Sequence, residues 1–276
     1  MAFADIGKAY KDISGGYLYD HKVSFATKTA SGVSANGSAS YKSDGSVPAE
    51  VKGAYKLAPS SALEATVTSG GKVTASLAQE GLAPGLKATL SGTLLGGSDA
   101  KLALAYALAK PPVLVGKLGL KSDVALLGGS KISASAGWAS GALLAGGEVE
   151  FDRAKGAVSK YGAGAQYTLG NGGVAAALLA DKDTVKLSYV HKCSPTVTGG
   201  VEAVHKLSKG ATSATAAVAK KLEGGATAKA SLASGGALSL LYTADVQPKT
   251  TATLSVQVNA YDLGKAPKFG AQCSFK

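Results

Sequence analysis

Apolar and polar residues alternate along almost the whole chain from about residue 22 to its end. In the stretch Val51-Lys52-Gly53-Ala54-Tyr55-Lys56-Leu57, Val51, Tyr55 and Leu57 fall on one face and Lys52 and Lys56 on the other. Lys72–Leu77 repeats the pattern, and Thr184–Tyr189 sets Val185, Leu187 and Tyr189 against Lys186 and Ser188. Glu148–Asp152 places Val149 and Phe151 opposite three carboxylates, and Thr253–Ala260 alternates throughout. A period of two is the signature of a strand with one face in each of two environments.

Turn signals separate these runs: Asp44-Gly45, Gly70-Gly71, Gly96-Gly97, Gly128-Gly129, Asn171-Gly172, Gly224-Gly225 and Gly235-Gly236. The many Gly-Gly pairs are read as turns throughout. Prolines 48, 111, 112, 195, 248 and 267 fall at run boundaries, where a missing N–H costs no ladder bond. The pattern predicts about nineteen strands, near 23–30, 33–41, 49–57, 62–69, 72–80, 86–94, 99–108, 113–120, 131–139, 143–152, 157–168, 173–180, 184–192, 196–206, 211–220, 224–233, 236–244, 249–259 and 267–275. A mean repeat of about 13 residues leaves no room for crossover helices, so neighbouring strands are expected to be antiparallel.

The first twenty residues follow another rhythm. Phe3, Ile6, Tyr10 and Ile13 recur at helical spacing, which predicts a short amphipathic α-helix of about 12 residues. Ser14-Gly15-Gly16 ends it, with Gly15 and Gly16 as a hinge. The expected division is a helix segment at 1–20 and a strand-built body at 21–276. Phe3, Ile6, Tyr10 and Ile13 are its packing face.

Composition then decides what kind of β-protein this is. The 276 residues are 46% hydrophobic but only 17% charged, and Gly numbers 37. A soluble sandwich or propeller would concentrate bulky aliphatic and aromatic residues on an inner face. Here the apolar face is continuous from strand to strand, and the other repeats Lys, Thr, Ser and Gln among Ala and Gly. That is the pattern of a transmembrane barrel with an apolar outside and a polar lumen. Lipid leaves a free strand edge unsatisfied, so the sheet must close. About nineteen strands enclose a water-filled lumen, as 16–18-stranded porins do. The N-terminal residues lack the apolar core of a secretory signal, and no apolar run approaches the length of a membrane-spanning helix.

Charge supplies the candidate chemistry. Lys and Arg total 29 against 18 Asp and Glu, a net charge of +11. By alternation Lys52, Lys56, Lys72, Lys87, Lys186 and Lys229 share the predicted lumen face, where cations attract anions and repel cations. Lys8 and Lys11 join them if the helix docks inside, and otherwise form a solvated helix face. Glu148, Glu150 and Asp152 lie on the same face and are expected to pair with lysines. Nothing points to catalysis, a metal or a cofactor. His21, His191 and His205 are scattered, and no nucleophile elbow or phosphate loop occurs. Cys193 and Cys273 read as inert small residues. The lysines are spread over all strands and aromatics make up 6%, which argues against a dedicated nucleic-acid partner despite the basic charge.

Three segments carry a family resemblance. Phe3-Ala-Asp-Ile-Gly-Lys-Ala-Tyr-Lys-Asp12, Gly141-Ala-Leu-Leu-Ala-Gly-Gly-Glu-Val-Glu-Phe-Asp-Arg-Ala-Lys155 and Pro267-Lys-Phe-Gly-Ala-Gln-Cys-Ser-Phe-Lys276 resemble the N-terminal helix, mid-barrel signature and last strand of the eukaryotic mitochondrial porins. These are the voltage-dependent anion channels of the mitochondrial outer membrane. The resemblance implies nineteen strands, the first and last parallel, a helix within the pore, and passage of adenine nucleotides, phosphate and chloride with partial closure by voltage. It also implies the lipid bilayer as partner, and leaves self-association and docking of cytosolic proteins open. Some family members carry a membrane-facing glutamate in the fourth strand. Here Glu64 falls on the polar side of Leu63, Ala65 and Val67, so that role is not carried over. Gly15-Gly16 stands where some members have a lysine. The alternatives are a membrane barrel that works by protein docking or import, and a soluble all-β binding protein.

Overall fold

The computed structural model describes residues 2–108 and 115–276. Its strands are β1 His21–Lys28, β2 Ser34–Tyr41, β3 Ala49–Ala58, β4 Ser61–Thr68, β5 Val73–Glu80, β6 Leu86–Leu95, β7 Ala100–Leu108, β8 Lys117–Leu127, β9 Lys131–Ser140, β10 Leu143–Asp152, β11 Ala157–Thr168, β12 Val174–Ala180, β13 Thr184–Lys192, β14 Val197–Lys206, β15 Ala211–Lys221, β16 Thr227–Ala233, β17 Ala237–Gln247, β18 Thr250–Asn259 and β19 Lys268–Phe275. A 3-10 turn, Phe3–Asp5, and an α-helix, α1 Lys8–Ser14, precede them. The strands form one nineteen-stranded sheet closed into a barrel. In an up-and-down meander of odd number, the first and last strands run the same way. Accordingly β1 and β19 pair in parallel, from His21 opposite Ala271 to Phe25 opposite Phe275.

The chain divides into two units. The first is built mainly from Pro48–Gly164, with the residues up to Asp5 and Ala26–Ser38. The second holds Ile6–Phe25, Ala39–Val47 and Ala165–Lys276. Within the first, cross-strand register lines up Tyr55, Leu63, Leu77, Leu90, Leu102, Val124, Ile132 and Phe151 in one row across β3–β10. The adjacent row reads Ala54, Glu64, Ser76, Ser91 and Lys101. Within the second, Ala175, Tyr189, Val201, Ala216, Leu232, Leu238 and Val258 line up likewise. Leu63, Leu90 and Val201 are 40%, 49% and 54% exposed. A surface patch of that extent is prohibitive in water and is the required exterior in lipid. Among the described residues no helix is long and apolar enough to cross a membrane, so the crossing elements are the strands.

Three strands differ from expectation. The pattern places one at 113–120, whereas β8 runs Lys117–Leu127; residues 113 and 114 lie outside the described residues. The displacement has a simple origin: Ser122 occupies a position on the apolar face, in register with Leu104 and Ala134, and interrupts the phase. The strand expected from 224 begins at Thr227, after a 3-10 turn at Glu223–Gly225. β17 runs past 244 to Gln247, through a register shift between Asp245 and Gln247. The reading of all Gly-Gly pairs as turns also fails: Gly146-Gly147 lies inside β10 and Gly199-Gly200 inside β14.

The N-terminal helix is two pieces rather than one. Gly7 adopts φ 72°, a left-handed conformation that costs glycine little, and separates the 3-10 turn from α1. The expected apolar face is nonetheless buried: Phe3, Ile6, Tyr10 and Ile13 are 6%, 1%, 2% and 6% exposed. The break re-aims Phe3 and Ile6 without removing them from the wall.

Candidate functional site: the polar face and the segment packed on it

α1 packs against β13–β16. Tyr10 and Ile13 meet Val190 and Ala217, with Ala9 and Ala219 beside them. Val190, Gly200 and Ala217 are register partners, so three adjacent strands present one shallow seat. Gly200 makes the seat possible. A Cβ there would fall 2.9 Å from the Ile13 Cδ1 and 2.8 Å from the Tyr189 carbonyl oxygen. The Tyr10 hydroxyl donates to the Thr215 carbonyl at 2.8 Å, and the Gly7 N–H donates to Gln166 Oε1 at 3.0 Å. Burial, reinforced by the nearby Glu202 carboxylate, pushes the Tyr10 phenol up to about 12. In the first unit, Phe3 lies over Gly137 and Gly146, where a Cβ would come within 2.7 Å of the Phe3 nitrogen and 3.3 Å of its ring respectively. Glycine inside a strand marks such close approach.

The C-terminal end of α1 is held by a cation. Lys229 Nζ donates to the Asp12 carbonyl at 2.6 Å and the Gly15 carbonyl at 3.1 Å. A lysine there satisfies carbonyls the helix leaves open and complements its dipole. Gly16 follows at φ 97°. The chain then crosses β17 and β18: the Leu18 N–H donates to Ser255 Oγ at 2.9 Å, and Ser255 Oγ donates to the Leu18 carbonyl at 2.6 Å. Tyr19 Oη and Ser239 Oγ share a 3.0 Å hydrogen bond, and Gln257 Nε2 donates to Tyr19 Oη at 3.2 Å. Both sides of Gly15-Gly16 are therefore tied to the wall.

The expected anion-attracting lysines are not alike. Lys52 and Lys56 share the polar face of β3, and Lys52 pairs with Glu64 at 2.8 Å. Glu64 thus lies on the polar side, as its alternation requires. Lys72 is not a strand residue: it sits in the turn before β5 and pairs with Asp99 at 2.9 Å. That contact holds the Asp99 carboxyl below its ordinary range. Lys87 pairs with Glu80 at 2.8 Å. Lys186 and Lys11 both lie within Coulombic range of Glu202. Lys229 serves the helix carbonyls, and Lys8 is exposed on α1. In the acidic stretch, Glu150 pairs with Lys131 at 2.8 Å, while Asp152 accepts from Ser130 Oγ at 2.5 Å. The residues that seat the N-terminal segment, Gly200, Thr215, Ser239, Ser255 and Gln257, were not singled out by sequence. The Gly-Gly inside a long alternating run was the available signal for one of them.

Among the described residues no three His, Cys, Asp or Glu side chains come together as a metal site, and Cys193 and Cys273 are both free thiols. A family model of eukaryotic porins matches residues 1–270. The chain belongs to the eukaryotic porin family. It is 27% identical to mitochondrial outer membrane protein porin 4 of Arabidopsis thaliana, over 99% of this chain and 97% of that one. It is 30% identical to mitochondrial outer membrane protein porin 5 of Oryza sativa subsp. japonica, over 97% of this chain and 95% of that one. Among solved structures, a mutant Rh. blastica porin aligns with a TM-score of 0.49 and 10% identity, over 82% of this chain and 89% of that chain. This porin is accordingly a mitochondrial outer membrane protein with a pore function. Its family is one of channels rather than enzymes.

Proposed function

We propose that this porin is a voltage-gated, weakly anion-selective channel for nucleotides, phosphate and chloride across the mitochondrial outer membrane. One observation carries the reading: the lysines and the N-terminal segment occupy the same sheet face, opposite the continuous apolar rows. Lipid claims the apolar face, so the polar face lines water. Lys8, Lys11, Lys52, Lys56, Lys72, Lys87, Lys186 and Lys229 then border the permeation path, with α1 inside the pore. The surplus of 29 basic over 18 acidic residues favours anions. The ion pairs explain why the preference is weak, since a paired lysine acts at range as a dipole. Voltage works on charge at about 2.3 kcal/mol per elementary charge per 100 mV. α1 carries Lys8, Lys11 and Asp12, a small net positive load on an element joined to the barrel through Gly15-Gly16.

The test is single-channel recording of the refolded protein in a planar bilayer under a KCl gradient. The expected result is a large conductance that reverses on the chloride side and falls at both polarities. Reversal on the potassium side overturns the selectivity, and conductance independent of voltage overturns the gating. Insertion without conductance favours a docking barrel instead.

A further inference from the structure

Strand lysines follow a rule in this barrel: Lys52, Lys56, Lys87, Lys101, Lys186 and Lys229 share the polar face. Lys220 breaks it. Cross-strand register places Lys220 in one row with Ala228, Tyr242, Leu254, Ala271 and His21, across β15–β19 and β1. The next row is Val218, Ala230, Leu240, Val256 and Phe269. These are the apolar rows, with Leu254 and Phe269 57% and 59% exposed. The neighbouring Lys221 pairs with Thr227 on the other face.

The two rows enclose a groove of about 600 Å³. Ala228 and Ala230 form its low floor, and Val218, Leu240, Tyr242, Leu254 and Phe269 stand around it. Lys220 closes one end and His21 the other. Five strand spacings of about 4.8 Å make the row roughly 24 Å long, running obliquely across the tilted strands. Lys220 is the last residue but one of β15, so it sits near a rim. By antiparallel pairing within this unit, β13, β17 and β19 end on the same side as β15. Lys192 closes β13, Lys249 follows β17 and Lys276 follows β19, with Glu223 in the turn after β15. The Lys220 side chain has no hydrogen-bond or ion-pair partner among the described residues.

An ammonium at a hydrocarbon boundary needs an anion, and its stem lies naturally along apolar surface. The medium in contact with this face supplies that anion as a headgroup and the filling of the trough as an acyl chain. We infer that this face binds a phospholipid of net negative charge, its phosphate on Lys220 and one acyl chain along the floor of Ala228 and Ala230. A zwitterionic lipid offers the same phosphate with its charge cancelled, so the site discriminates between them.

Native mass spectrometry of the detergent-solubilised protein, titrated with phosphatidylglycerol or phosphatidylcholine, tests this. The wild-type protein should retain phosphatidylglycerol about tenfold more strongly. Lys220→Gln should abolish that preference, Lys221→Gln should keep it, and Ala230→Phe should lower retention of both lipids. Single-channel conductance at the wild-type level certifies each variant as folded, and does so whatever the selectivity of the pore. Equal retention of the two lipids by wild type overturns the inference. So does an equal loss in Lys220→Gln and Lys221→Gln, which would make the effect one of general rim charge. Dimers in place of lipid adducts, lost in Ala230→Phe, would assign the groove to a second copy. If Ala230→Phe does not fold, the two lysine variants decide the matter alone.

Discussion

The strands β3–β8 and the strands β13–β18 carry the same alternation and use their polar faces differently. In β3–β8 lysines and carboxylates of the polar face pair with one another. Lys52 meets Glu64, Lys87 meets Glu80, and Lys101 meets Asp123 at 3.4 Å, all half-exposed. In β13–β18 the polar face is turned over to the N-terminal segment, through Val190, Gly200, Thr215, Ala217, Lys229, Ser239 and Ser255. Period two decides which side a residue faces, whereas what it meets there depends on residues far away in sequence. Exposed ion pairs add little to stability. A buried tyrosine and isoleucine add much more. The two walls should therefore answer mutation very differently.

The sharpest break should come at Tyr10. Tyr10→Ala removes a side chain 2% exposed together with its hydrogen bond, and should weaken docking of α1 by about 3–5 kcal/mol. Limited proteolysis would show residues 1–20 becoming cleavable while the barrel stays resistant. Next in size is Lys229→Met, which keeps the stem and deletes two charge-assisted bonds, at a cost of about 1.5–3 kcal/mol. A spin label at Lys8→Cys should gain mobility in that variant. Gly200→Val forces a Cβ against Ile13 and the Tyr189 carbonyl, and overpacking of this kind costs about 1–3 kcal/mol. Gly53→Ala on the other wall, where a Cβ meets nothing within 4 Å, should leave the same label unchanged.

Smaller effects separate the walls electrically. Glu64→Gln frees Lys52 and should move the reversal potential further toward chloride, while Lys52→Gln should move it back; stability should change by less than about 1 kcal/mol in each. Silent at neutral pH is a pH dependence of docking. The Tyr10 phenol is raised from 10.0 to about 12, so the docked state favours the protonated form. That contribution is complete below pH 10 and is lost as pH rises through about 12. Tyr10→Phe should remove this part of the alkaline loosening seen by the spin label.

Much of this molecule was legible as a sequence. The rhythm located most strands to within a residue or two, because β10 or β13 has one lipid-type face and one water-type face and no other period satisfies both. It failed where a single residue spoke for the wrong side, as Ser122 does on the apolar face of β8. It missed the helix break because glycine at position 7 tolerates both helical and left-handed backbone, and only docking chooses. It misread Gly199-Gly200 as a turn for the same reason: a glycine that makes room and a glycine that bends are one letter.

By itself, then, the sequence determined a count of about nineteen strands, the assignment of each strand's two faces and the amphipathic N-terminus, which follow from local periodicity and solvent matching and need no knowledge of distant residues. The family was legible separately, in the three segments that resemble it. Tertiary structure alone decided that Glu64 neutralises Lys52, that Lys229 caps the helix instead of standing free, that Gly200 seats Ile13, and that Lys220 ends an apolar trough. Each of these pairs residues through lateral register or barrel closure, and register sums the lengths of every strand and turn between them.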